Sequence, residues 1–257
     1  MNLLALDTTG KYGSAAVLTD EGIFVASSDN EMNHLRDVIS LTDEALKMAG
    51  IKKSKLTHVA ASVGPGSFTG IRIGVTTART LAQMLDLPCI AISSLEGMER
   101  RVETVAEEHG CGVIVTIINA RRNQTYAGLW ELREDEDGNI EIEPVLEEKQ
   151  YMIDEILTLA KEILSVKESR KKMFITGDGI DAYGETITEI LGDTEYEFAD
   201  ESLRYQSAES IAELARFYAD LDVTISYEKL LPNYMRLSEA EQRLKEGTLS
   251  SKISKLK

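Results

Sequence analysis

The chain is short of the residues that most often build redox and metal centres. Two cysteines and three histidines occur in 257 residues. Cys89 and Cys111 stand far apart and outside any C-x-x-C spacing, which argues against a disulfide framework and a cysteine zinc site and leaves both as small core residues. His34, His58 and His109 are scattered, so no histidine triad or cluster can be assembled. No apolar run is long enough to span a bilayer, and no charged-then-apolar leader follows Met1. A cytoplasmic protein without membrane contact is expected.

Basic charge is scarce as well. Lys and Arg number 28 against 44 Asp and Glu, a net charge of −16. Residues 1–100 hold 9 basic and 11 acidic side chains, while residues 101–257 hold 19 and 33, so the acid sits in the second half. A surface of that sign repels a phosphate backbone, which makes the chain a poor candidate to grip nucleic acid alone. With 43% hydrophobic residues, the length suits one large globular domain or two small ones.

The most informative stretch is residues 57–84, THVAASVGPGSFTGIRIGVTTARTLAQM. Val59, Ala60, Ala61 and Val63 form a short apolar run, a buried strand that stops at Gly64-Pro65-Gly66. Ser67 is placed to cap a helix that runs from Phe68 to the stop at Asp86-Leu87-Pro88. In it Gly70, Gly74 and Ala78 fall at i, i+4 and i+8. Each helix-interior glycine costs about 1 kcal/mol relative to alanine, so two on one stripe point to close approach of another backbone. Ile71, Val75, Ala82 and Leu85 occupy a second face, and Ile73, Thr77, Leu81 and Met84 a third, so the helix is covered on more than one side. Two readings stand: a core helix between its own sheet and a neighbouring helix, or a helix that also meets a partner chain. A phosphate loop is disfavoured, because no Lys-Ser or Lys-Thr follows the glycines and the dinucleotide pattern is absent.

Taken in order, residues 2–7, 14–18 and 23–27 read as three strands of a meander, with a tight turn at Asp20-Glu21-Gly22. Residues 32–49 carry Leu35, Val38, Ile39, Thr42, Ala45, Leu46 and Ala49 at helical spacing, and Gly50 ends the run. After the strand and helix above comes a short strand at Cys89–Ile92. Three strands, helix, strand, helix, strand is the order of a ribonuclease-H-like unit. A helix over 94–109 leads to a second, shorter cycle with strands at 113–118, 125–132 and 140–145, a helix at 151–165 and a strand at 173–176. The expected boundary lies near residue 103, giving a first domain 1–103 and a second 104–206. A helix over 207–221, capped by Ser207 or Ser210, is followed by an extension, 222–257, with a Ser- and Lys-rich tail expected to be mobile.

Asp7-Thr8-Thr9, at the end of the first strand, is the best-placed carboxylate for chemistry. A ribonuclease-like metal site needs further carboxylates converging there. The fourth strand ends in Val63-Gly64 instead, which favours a structural Asp or a weak nucleotide contact. Asn119 to Tyr126 places Arg121 and Arg122 between strands, where they suit a phosphate or an acidic partner as well as solvent. Gly177-Asp178-Gly179 is a second glycine turn.

The word GPGSFTGIRIG, residues 64–74, closely resembles the signature of the bacterial TsaB (YeaZ) family, paralogues of the TsaD enzyme that makes N6-threonylcarbamoyladenosine in tRNA. Residues near 7, 119–128, 177–179 and 232–241 resemble further motifs of that family, with Asn119 where Asp is more usual. The resemblance implies an α/β fold of two ribonuclease-H-like subdomains of the actin/Hsp70 (ASKHA) type, the second reduced, with the helix at about 207–221 returning to the first. TsaD carries a metal-binding H-x-x-x-H, and the matching positions here are Ser94 and Met98, neither a usual ligand for such metals. The implied role is a non-catalytic scaffold in the assembly that transfers threonylcarbamoyl to N6 of adenosine 37 of tRNAs reading ANN codons.

On that resemblance the chain pairs with a TsaD-type paralogue, is joined by a TsaE-type ATPase, self-associates when alone and meets tRNA only through the complex. It needs no cofactor of its own; ATP and a divalent metal belong to partner subunits. The expected interface is Leu35, Val38, Ile39, Thr42 and Leu46 with Gly70, Ile73, Gly74, Thr77, Ala78 and Leu81. Weak nucleotide contacts are expected at Asp7, Thr8, Thr9, Gly177, Asp178 and Gly179, with no metal and no catalytic residue. The rival readings are an actin-like ATP-binding ATPase and a metallopeptidase.

Overall fold

The computed structural model describes residues 1–28 and 34–235, and the side chains of residues 34–36 lie outside that description. Leu35 and the segment 236–257, with the expected tail and the end of the 232–241 motif, are therefore outside the described residues.

The first unit is built from β1 (Leu3–Asp7), β2 (Ser14–Thr19), β3 (Gly22–Ser27), α1 (His34–Met48), β4 (His58–Ser62), α2 (Phe68–Leu85) and β5 (Cys89–Ile92). Its sheet runs β3-β2-β1-β4-β5, the first three strands antiparallel and the last two parallel to β1. Alternation in the strands sets the two faces. Leu4, Leu6, Val59 and Ala61 pack under α1 and α2, while Leu3, Ala5, Ala60 and Ile90 face the other way. Burial on both faces explains why β1 and β4 read as continuous apolar runs.

The second unit follows α3 (Ser94–Glu108) and holds β6 (Cys111–Asn119), β7 (Gln124–Glu134), β8 (Ile140–Pro144), β9 (Lys149–Met152), α4 (Ile153–Ser165), β10 (Lys172–Thr176), α5 (Gly179–Leu191) and β11 (Tyr196–Phe198). Its order, β11-β10-β6-β7-β8, repeats the first, with β9 added beside β7. The reduction lies in the helices: α4 and α5 have 13 residues each, against 15 and 18 for α1 and α2. The helix expected from residue 151 begins at Ile153, because Tyr151 and Met152 pair with Thr125 and Gln124 in the sheet. Helix α5 follows directly on the second glycine turn, and β11 pairs in parallel with β10.

The remaining faces are covered by an exchange. The last helix, α6 (Ala208–Asp220), packs its Ala208, Ile211, Ala212 and Ala215 on the first sheet, with Ser207 as its cap. Helix α3 instead lays Leu95, Met98, Val102 and Ala106 against Ile114, Ile118 and Phe174 of the second sheet.

Beyond α6 the chain becomes a strap. Ile225 exchanges both backbone hydrogen bonds with Cys89 at the edge of β5, at 2.8 Å each. Leu230 enters the first core fully buried, and the Asn233 amide donates to the Val63 carbonyl at 2.8 Å. Tyr234 then accepts from Arg72 Nε at 2.7 Å and stacks 4.9 Å from Phe68. The 232–235 motif thus clips the strap over the glycine loop and the start of α2. Leu230→Ala is expected to lower unfolding stability by about 2–5 kcal/mol, the usual range for truncating a core leucine. A urea titration with an unchanged midpoint would mean that the strap contributes no packing.

Candidate functional site

A cleft of ≈ 830 Å³ opens between the two units. From the first unit it is lined by Thr9, Gly10 and Lys11 of the β1–β2 turn and by Gly66, Ser67 and Phe68 at the start of α2. The second unit contributes Asn119, Arg121 and Tyr126 of the β6–β7 hairpin and Asp178 and Asp181 beside the second glycine turn. Of the residues expected to touch nucleotide, Thr9 and Asp178 face the cleft from opposite sides. Asp7 and Thr8 lie beneath it, and both are buried.

Asp7 anchors a buried hydroxyl chain. Its Oδ1 accepts from the Thr9 amide at 2.8 Å and from the Thr9 hydroxyl at 2.7 Å. Ser94 Oγ lies 2.8 Å from Ser62 Oγ and donates to Thr9 Oγ1 at 3.1 Å. Asp7 Oδ2 has no hydrogen-bond partner among the described residues. Desolvation raises the Asp7 pKa to about 6 from the usual 3.8, against the opposing hydrogen bonds from Thr9. A carboxyl raised in this way holds its proton longer in the folded than in the unfolded chain. The chain should therefore lose stability as pH rises from about 3.8 to about 6, and the loss is complete above that window. A shift of this size corresponds to roughly 3 kcal/mol. The Asp7→Asn variant should show a distinctly shallower slope, the buried Asp178 carboxyl supplying the remainder over the same window; parallel pH profiles for the two proteins would show that Asp7 is not the group responsible.

The glycines at the cleft are filled by the chain itself. A Cβ on Gly66 would stand 2.4 Å from the Thr9 carbonyl oxygen, and one on Gly177 would stand 2.0 Å from that of Ile117. Both residues have positive φ, so close approach and backbone conformation each require glycine. Asp178 Oδ1 accepts from the Asn119 amide at 2.9 Å, and burial raises the Asp178 pKa to about 6. Asn119 Oδ1 in turn accepts from the Arg121 amide at 2.8 Å and from the Tyr183 hydroxyl at 2.9 Å. Asn at this position can therefore do the acceptor work of an Asp. Arg121, Arg122 and Asn123 all have left-handed backbones, and both arginine side chains are exposed.

Ser94 and Met98 are fully buried, Ser94 in the hydroxyl chain and Met98 in the core between α3 and the second sheet. Among the described residues no group of three or more His, Cys, Asp or Glu is placed to hold a metal ion.

The structure places part of the expected interface inside the protein. Gly70, Gly74 and Ala78 are buried within the chain, as are Val38, Thr42 and Leu46. The stripe approaches the end of β1: a Cβ on Gly70 would lie 1.9 Å from the Thr8 carbonyl oxygen, and one on Gly74 would lie 2.5 Å from Thr8 Oγ1. Thr8 Oγ1 also donates to the Gly70 carbonyl at 2.6 Å. The close backbone predicted from the glycines is the protein's own. Among the described residues, the large apolar side chains that α1 and α2 turn outward are Ile39, 52% exposed, Met48, 50%, Phe68, 43%, and Met84, 76%, with Ile73, Thr77 and Leu81 half-buried on the row that ends at Met84.

A family model described as "TsaD: tRNA N6-adenosine threonylcarbamoyltransferase" matches residues 25–244. The chain belongs to this family, in its TsaB (YeaZ) branch. It is 29% identical to the tRNA threonylcarbamoyladenosine biosynthesis protein TsaB of Bacillus subtilis over 95% of this chain and 97% of that one. The TsaB of Escherichia coli is 30% identical over 54% of this chain and 58% of its own length. The solved structure of YeaZ from Pseudomonas aeruginosa superposes with a TM-score of 0.69 at 25% identity, covering 91% of this chain and 99% of the other. A five-stranded unit and a six-stranded unit that repeats its order, sharing a cleft, are thus the fold of that YeaZ structure.

Proposed function

We propose that this chain acts in tRNA threonylcarbamoyladenosine biosynthesis as a non-catalytic subunit. It pairs with a TsaD-type paralogue through the outer face of α1 and α2, and a TsaE-type ATPase joins the pair. The observation that carries the pairing is the outward apolar surface of α1 and α2, where Ile39 and Met84 are exposed and Ile73 and Leu81 half-buried, on a chain whose core is packed beneath it. The burial of Ser94 and Met98, at positions matching TsaD's metal ligands, supports leaving the transfer chemistry, its ATP and its metal to partner subunits. The net charge of −16 supports the same division for tRNA. Without its partner, the same face would bring two copies of this chain together.

Light scattering after size-exclusion chromatography tests the pairing, with this chain alone and mixed with TsaD from the same organism. A stable one-to-one complex is expected. Failure to associate with a folded TsaD would overturn the reading and leave magnesium-dependent ATP binding by the isolated chain as the next property to titrate.

A further inference from the structure

The chain passes between the two units twice, from β5 into α3 and from β11 into α6. The strap that follows α6 returns to the first of these crossings. There the Ser94 amide, at the start of α3, donates to the Gly64 carbonyl at 3.0 Å and so ties the helix to the glycine loop. The Asn233 carbonyl lies over the same glycine: a Cβ on Gly64 would stand 2.9 Å from its oxygen. Leu230 is fully buried in the first core, whereas Met235 packs half-buried against the core that α3 forms with the second sheet. Between Leu230 and Met235 the strap therefore touches both units and the joint between them.

The two halves of the strap are held differently. The inner half is anchored by the paired backbone bonds of Ile225 to Cys89 and by Leu230 in the core. The outer half is held at the surface. Tyr234, 42% exposed, stacks on Phe68, 43% exposed; the Arg72 guanidinium lies 4.0 Å from the Phe68 ring centroid, and its Nε donates to the Tyr234 hydroxyl. Solvent-exposed contacts of this kind open at far lower cost than a packed core. Leu231, 56% exposed, lies between the two halves. Phe68 also lines the inter-unit cleft, so the outer half sits at its mouth.

We infer that residues 233–235 form a clamp across the inter-unit joint: they hold the units at the separation that shapes the cleft, and their release opens it while Leu230 keeps the strap attached. Units that share a modest contact surface move relative to each other by default, so a clasp at the joint sets how far they swing. Helices α3 and α6 supply the pivot, where Glu96 accepts from the Tyr218 hydroxyl and Arg100 pairs with Glu213 at 3.0 Å. Entry to the cleft is then governed at the strap. The clamp lies within one chain and does not depend on the pairing proposed above.

Double electron–electron resonance on the full chain tests the clamp, with nitroxides on Thr76→Cys of α2 and Glu185→Cys of α5, both exposed positions. Cys89 and Cys111 are fully buried and stay unlabelled. Diluting the labelled chain with unlabelled chain restricts the signal to distances within one molecule. A narrow distribution is expected with the clamp intact. Arg72→Gln combined with Tyr234→Ala, and separately Met235→Ser, should each shift it to longer distances and broaden it; Tyr234→Phe, which loses only the hydroxyl, should shift it less. A second pair within the first unit, Glu21→Cys with Thr76→Cys, should keep its distance in every variant. An unchanged inter-unit distribution in both clamp variants would overturn the assignment. So would an equal broadening of the intra-unit pair, since the variants would then have loosened the fold rather than released a clamp.

Discussion

Gly70→Ala should lower unfolding stability by about 3–5 kcal/mol, although alanine is the better helix former by about 1 kcal/mol. The added methyl would sit 1.9 Å from the Thr8 carbonyl oxygen and 3.0 Å from its carbon, and the atom in the way is backbone rather than a side-chain end. Thr8 cannot swing aside cheaply. It is buried at the end of β1, the central strand of its sheet, and its hydroxyl is bonded to the Gly70 carbonyl. The steric term therefore exceeds the propensity term several-fold. Gly184 supplies the opposite case, since it lies within α5 and an added Cβ there meets nothing within 4 Å. Gly184→Ala should stabilise by roughly 0.5–1 kcal/mol. Urea unfolding of both variants checks the pair. Equal and small shifts would mean that close approach is not why Gly70 is glycine.

The same contact marks where sequence stopped being sufficient. Two glycines at i and i+4 correctly announced a close backbone, and the two readings offered for it were a core neighbour and a partner chain. Nothing in a helical pattern tells these apart, because the neighbour, Thr8, lies more than sixty positions earlier in the chain. Local signals fared better. Ser67 and Ser207 cap the helices they precede, and the row Ile73, Thr77, Leu81 and Met84 was visible as one face before its exposure was known. The second unit was harder to read. Strand β11 is three residues long and pairs only with β10, too brief to leave a period, and β9 runs straight into α4. The cleft was half legible: Asp7 and the two glycine turns stood out as words, whereas Tyr205 and Phe68 reach it only through folding. The strap was legible as a motif without a task, since Asn233 and Tyr234 acquire meaning only beside Val63 and Arg72.

Met84→Asp and Ile39→Asp should each weaken association with the proposed TsaD-type partner by about thirtyfold or more, and the double variant should abolish it at micromolar concentrations. Both side chains are exposed in the isolated chain, 76% and 52%, so an added charge stays hydrated there. Stability should accordingly change by less than about 0.5 kcal/mol. In a complex the same carboxylate would be stripped of water against an apolar surface, and an apolar interface anchor is typically worth about 2 kcal/mol or more. Gly74→Leu is the wrong probe for this face, because its side chain would meet Thr8 Oγ1 inside the fold and unfolding would imitate lost pairing. Phe217 provides the control, a large apolar side chain 58% exposed on α6, which packs on the opposite face of the first sheet. If Phe217→Asp breaks the complex while Met84→Asp and Ile39→Asp leave it intact, the pairing surface lies on α6. Loss in the first two alone, with urea midpoints unmoved, assigns it to α1 and α2.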